Sequence, residues 1–85
     1  MKSNQDIINQ AIRECQGKVS VGSTVAHPSD KYIYTLIDII GGVGRCQFNN
    51  KTKQFLVSEL FDVNLTRTRV VELTLQDICL PFSEN

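Results

Sequence analysis

The sequence predicts a mainly β domain, with one N-terminal amphipathic helix over residues 3–16 followed by a five-stranded antiparallel barrel over residues 19–82. Apolar residues recur at helical spacing before Gly17 and at strand spacing after it. The turn-forming pairs Gly22-Ser23, Gly41-Gly42 and Asn49-Asn50 punctuate the second part at short intervals. A chain of 85 residues has room for one core, so residues 1–85 read as a single domain.

Ser3 is placed to cap the helix, with the Asp6 carboxylate near the positive end of its dipole. Ile7, Ile8, Ala11, Ile12 and Cys15 make its apolar face, and Gly17 ends it. A helix this short is marginal alone in water. Its stripe of Ile7, Ile8 and Ile12 is therefore expected to dock, either over the open end of the barrel or on the same helix of a second copy.

Val19-Ser20-Val21 alternates and Thr24-Val25-Ala26 resumes the extended run up to His27-Pro28. Lys31 to Ile40, rich in β-branched and aromatic residues, is the strongest strand signal. Ile33, Ile37 and Ile39 fall on its expected core face, with Tyr32, Tyr34 and Leu36 on the other. Gly41-Gly42 supplies a tight hairpin, and Val43 to Phe48 returns with Cys46 and Phe48 inward. Asn49 to Thr52 turns again before the strand Gln54 to Val57. Ser58 to Val63 reads as a helical turn or a bent strand, and Asn64 to Arg67 as a connection. Arg69 to Leu75 is expected as the last full strand, with Val71, Leu73 and Leu75 inward. A 3₁₀ turn at Leu75 to Ile78 and an edge segment at Cys79 to Phe82 complete the barrel.

Several function classes are excluded or demoted by composition. Nine basic and nine acidic residues leave a formal net charge of zero, so the whole molecule is no polyelectrolyte binder of nucleic acid. No apolar run reaches the roughly 18 residues of a membrane span, and the N-terminus lacks a secretory pattern, which predicts a cytoplasmic location with no membrane partner. Cys15, Cys46 and Cys79 are far apart and odd in number, which argues against a disulfide framework and against a zinc site. With a single histidine, His27, neither a multi-histidine metal site nor a hydrolytic triad is supported. Gly41-Gly42-Val43-Gly44 lacks the Gly-Lys-Ser/Thr of a phosphate loop and reads as a turn. No cofactor, metal or catalytic residue is expected.

The phrase Val21-Gly22-Ser23-Thr24-Val25-Ala26-His27-Pro28 resembles the opening of small bacterial SH3-like domains of the KOW and Tudor kind. Val71-Glu72-Leu73-Thr74-Leu75-Gln76-Asp77-Ile78 is similar to their closing strand and 3₁₀ turn. The resemblance implies an SH3-like barrel over residues 19–82 and leaves function open. Within that superfold, Gln54-Phe55-Leu56-Val57 resembles the pore-lining strand of type II dihydrofolate reductases. Here the aromatic stands at Phe55 and no tyrosine occupies the strand, which sets the reductase reading aside.

Two functional readings stay open. The first is a non-enzymatic interaction module that binds a protein partner or forms a homodimer through Ile7, Ile8 and Ile12. The second is a nucleic-acid binder that uses Tyr32 and Tyr34 as a stacking shelf, with Arg45, Lys53, Arg67 and Arg69 on phosphates. That reading rests on a local excess: from Arg45 to Arg69 five basic residues face two acidic ones. An enzyme with a site shared between subunits ranks third.

Overall fold

The computed structural model describes residues 3–83, with side chains described for residues 3–76. The first helix, α1, spans Asn4–Cys15. The Asp6 amide donates to the Ser3 hydroxyl at 3.1 Å, closing the N-terminus, while Asp6 in the first turn and Arg13 in the last complement the helix dipole. Ile7, Ala11 and Cys15, one turn apart, are its buried stripe. Gly17 leaves the helix at φ 82° and donates its amide to the Leu60 carbonyl at 2.8 Å, which anchors the helix end to the far side of the chain.

Five strands follow: β1 (Thr24–Ala26), β2 (Ile33–Ile40), β3 (Val43–Phe48), β4 (Lys51–Leu56) and β5 (Phe61–Asp62). They form one antiparallel sheet in the order β4-β3-β2-β1-β5. The two tight turns are where the sequence places them, with Gly41 and Gly42 at φ 58° and 78° and Asn49 at φ 55°. A single 3₁₀ turn, Val57–Glu59, separates β4 from β5. The second helix, α2, runs from Val63 to Ser83.

The expected SH3-like barrel is therefore not formed. β4 and β5 are the outer strands of an open sheet and do not pair with each other. The fold is mixed, and its two helices occupy more of the chain than its five strands. The cause lies at Asp62. Its carboxylate accepts the amides of Asn64 at 2.9 Å and Leu65 at 3.1 Å, nucleating a helix where the barrel needs a strand. β5 ends after two residues, and the segments expected as a strand at Arg69 to Leu75, a 3₁₀ turn at Leu75 to Ile78 and an edge at Cys79 to Phe82 all belong to α2. Val19-Ser20-Val21 is likewise loop, not strand. With the barrel goes the KOW and Tudor resemblance.

The face assignment of β2 is also corrected. Tyr34 and Leu36 are buried, whereas Ile33, Ile37 and Ile39 are exposed. Leu36 pairs with Cys46 and Asp38 with Arg45, so Ile37 is an extra residue, a bulge that shifts the register by one. Cross-strand partners share a face, and the inward Cys46 draws Leu36 inward with it.

Val25, Tyr34, Leu36, Cys46 and Leu60 form the sheet core, with Val19, Phe48 and Phe55 packed against it. Gly44 sits where a Cβ would come within 2.9 Å of Leu36 Cδ1 and 3.1 Å of Leu60 Cδ1, so a bare backbone lets these two leucines meet over β3. A second cluster, Ile7, Ala11 and Leu73 with Val70 against it, joins α1 to α2. The Arg69 guanidinium crosses the same seam to Glu14 at 2.7 Å. Of the stripe expected to dock, Ile7 thus packs on α2 of its own chain together with Ala11, while Ile8 and Ile12 do not join that cluster. No helix among the described residues is long and apolar enough to cross a membrane.

Candidate functional site

Two surfaces result from this arrangement. The first is a pocket of about 340 Å³ at the β3–β4 end of the sheet, lined by Tyr32, Tyr34, Phe48, Asn50, Lys51 and Lys53 among others. Tyr32 precedes β2 and Phe48 ends β3, and their rings stack with centroids 5.1 Å apart and planes 26° from parallel. Tyr32 remains 44% exposed. The Lys31 ammonium sits 5.4 Å from the centre of its ring.

Asp30 organises the floor. Its Oδ1 accepts the Tyr32 amide at 2.9 Å, and its Oδ2 accepts the Tyr34 hydroxyl at 3.0 Å and the Lys53 ammonium at 3.2 Å. The Tyr32 amide above all, then Lys53 and Tyr34, holds the Asp30 carboxyl below the usual carboxylate range. Burial, and then the neighbouring carboxylate, pushes the Tyr34 phenol up. Asp30 raises the Lys53 ammonium in turn. Tyr34 is therefore no exposed shelf but the buried foundation of the pocket, and Tyr32 alone of the pair is exposed, between Phe48 and the Lys31 side chain.

The second surface is an apolar groove of about 550 Å³ between α1, α2 and β5, lined by Ile8, Ile12, Phe61, Val63, Val70 and Val71 among others. Its lining is mostly apolar, with Thr66 and Arg67 as the polar members. Phe61, Ala26 and Ile33 are cross-strand partners, so this apolar strip continues from the groove onto the outer face of the sheet.

The expected site residues divide among several places. Tyr32, Tyr34 and Lys53 meet in the pocket. Arg45 lies away from it, beside Asp38 on the outer face, donating from Nε at 2.8 Å and 3.0 Å and from a terminal nitrogen. That bond holds Asp38 below its ordinary range and Arg45 above its own. Arg69 is engaged by Glu14 and Glu72, and Arg67 lies on the wall of the groove. The basic face expected from Arg45 to Arg69 is thus not one surface. Of the self-association set, Ile7 is buried against α2, while Ile8 and Ile12 line the groove.

Sequence reasoning placed Lys51 on a basic rim with Lys53, but missed Phe48 and Asp30 in the pocket and Phe61, Val63, Val70 and Val71 in the groove. The pocket residues had a signal: Asp30, Phe48 and Lys51 each border a turn that brings strand ends together. The groove had one too, since Val63, Thr66, Val70 and Leu73 recur at spacings of three and four.

His27 lies outside both surfaces. Its Nδ1 receives the Ser29 amide at 3.1 Å and the Ser29 hydroxyl at 2.7 Å, which leaves Nε2–H to donate to Glu59 at 2.9 Å. Its ring stacks on Phe55 at 4.8 Å. The histidine clips the β1–β2 connection to the 3₁₀ turn. Cys15 and Cys46 are free and buried, and burial pushes the Cys46 thiol up, away from nucleophilic reactivity. Cys79 lies outside the described side chains. Among the described residues no group of three or more His, Cys, Asp or Glu is placed to hold a metal ion.

No protein-family model matches the chain, and neither does any curated protein or solved structure.

Proposed function

We propose that this chain is a non-enzymatic interaction module that associates with a second copy of itself through the groove between α1 and α2. The observation that carries this reading is the apolar groove that the single chain leaves uncovered between α1, α2 and β5. A chain of this length buries a small core, and pairing two such grooves adds the apolar burial it lacks.

The groove offers the apolar surface for such a pairing. Ile8 and Val71 are exposed on its rim, and Phe61 extends the strip toward Ile33. A twofold pairing of such a strip covers it with a copy of itself and needs no charge complementarity, in keeping with a net charge of zero.

Size-exclusion chromatography with light scattering, run from submicromolar to high micromolar concentration, tests the proposal. A dimer mass is expected, falling to monomer on dilution and in Val71→Glu. Val71 is 56% exposed in the single chain, so the charge is tolerated by the fold but not by the interface. A monomer at every concentration, or a dimer that Val71→Glu leaves intact, overturns it.

A further inference from the structure

From the pocket beneath Tyr32 we infer a second site, one that takes a nucleotide unit: a planar base stacked on Tyr32, with its phosphate on Lys31 or Lys51. This inference is independent of the self-association groove and uses none of its residues.

The argument begins with what Tyr32 is doing. Tyr32 is nearly half exposed, stacked on Phe48 and with only the exposed, flexible Lys31 side chain reaching over its ring, so an incoming base displaces one lysine and keeps it at hand for the phosphate. The brace fixes the ring plane, so an incoming planar group meets a preorganised platform. Tyr34 stands edge-on to Phe48, with centroids 6.1 Å apart, and Asp30 locks its hydroxyl. The platform is held by the sheet and not by a mobile loop.

Charge then selects among planar ligands. Lys51 and Lys53 line the pocket and Lys31 reaches over the Tyr32 ring, while the carboxylate at the site, Asp30, is already engaged by Lys53, Tyr34 and the Tyr32 amide. An aromatic pocket with spare acid would take a cation; one with spare ammonium groups takes an anion. Lys51 stands at the start of β4 with its side chain exposed, and Lys31 extends across the Tyr32 ring. Asn49 and Asn50 at the hairpin tip add amide donors and acceptors of the sort that read base edges. A planar group joined to a phosphate satisfies the ring and the lysines together. The volume of about 340 Å³ suits one such unit.

A nucleotide unit is presented by a single strand or as a free nucleotide. Fluorescence anisotropy of the full chain against a labelled mixed-sequence single-stranded RNA, with parallel calorimetric titration of AMP and UMP, distinguishes the two. Strand binding is expected to weaken with salt, with a log–log slope near −1.4, because a strand presents the two phosphates that flank the stacked base, one to Lys31 and one to Lys51. Tyr32→Ala is expected to weaken it about tenfold, while Tyr32→Phe, which keeps the stacking face, binds as the wild type does. Lys51→Ala is expected to reduce the slope by about 0.7. Val71→Glu is expected to bind unchanged, which separates this site from self-association. Binding of the strand alone assigns the site to nucleic acid, and comparable binding of AMP or UMP assigns it to a free nucleotide. Absence of binding to all three probes, or binding that Tyr32→Ala leaves unaltered, overturns the inference.

Discussion

The Tyr34 hydroxyl donates a 3.0 Å hydrogen bond to Oδ2 of Asp30, linking a buried residue of the sheet core to the turn that precedes β2. Each partner changes the other's acidity in the opposite direction. Asp30 lies below its ordinary range, so the stability it contributes is present above its unfolded pKa and is lost as pH falls through the folded value. Tyr34 lies above its ordinary range, chiefly through burial, so its contribution is present below the unfolded pKa and is lost as pH rises through the folded value. Asn at position 30 keeps an oxygen for the Tyr32 amide but no acceptor for both Tyr34 and Lys53. Asp30→Asn is expected to flatten the acid side of the stability profile and to move Tyr34 ionisation down toward its usual range without reaching it. Urea midpoints across pH and the ultraviolet absorbance of tyrosinate measure the two effects; a wild-type acid limb in the variant refutes the coupling.

Gly44 has no need of unusual dihedrals, and its importance is steric. A methyl group there meets the side-chain ends of Leu36 and Leu60 at 2.9 Å and 3.1 Å, both leucines being fully buried. Overpacking of a filled core costs about 1–3 kcal/mol. Gly44→Ala is expected to lower stability by that amount in urea unfolding, whereas Gly41→Ala, at a solvent-open turn with φ 58°, suffers through its backbone alone.

Local chemistry made part of this fold legible. Ser3 with Asp6 announces α1, and Gly41-Gly42 and Asn49-Asn50 announce hairpins, because capping and left-handed turns are decided by a few neighbouring atoms. Which face of β2 is inward was not legible, since alternation groups Tyr34 with Leu36 but only their pairing with Val25 of β1 and Cys46 of β3 turns that group to the core. α2 was misread because Val71, Leu73 and Leu75 alternate as a strand does, while one member of the helical stripe is the polar Thr66. In the folded chain the Thr66 hydroxyl donates to the Asp62 carbonyl at 2.7 Å, which removes the penalty for burying it. In the pocket, Tyr32, Tyr34 and Lys53 could be named in advance, but not that Arg45 is turned to the opposite face by Asp38.

The two readings of residues 69–75 give different mutational patterns. A strand buries Val71, Leu73 and Leu75 alike. In α2, of these three, Leu73 alone is buried, at 8% exposure, while Val71 is 56% and Leu75 53% exposed. Leu73→Ala is expected to cost about 2–5 kcal/mol by opening the seam with Ile7 and Ala11. Leu75→Ala is expected to stay within about 0.5 kcal/mol. Denaturant unfolding of the two variants at one protein concentration checks this, and equal losses at both positions return the segment to a strand.

Asp62 has two tasks, as the last residue of β5 and as the cap of α2. Its side-chain oxygen receives the Asn64 and Leu65 amides, while its backbone carbonyl receives the Thr66 hydroxyl. Loss of a capping side chain costs about 0.5–2 kcal/mol. Here the cap decides more than helix stability, because a chain that does not turn at Asp62 is free to extend β5 along β1. Asp62→Asn, which retains the acceptor, is expected to keep both helix content and stability. Asp62→Ala is expected to lower stability within that range and to reduce helicity seen by far-ultraviolet circular dichroism. Unchanged helicity and stability in Asp62→Ala would mean that packing of Val70 and Leu73 on α1, and not the cap, starts the helix.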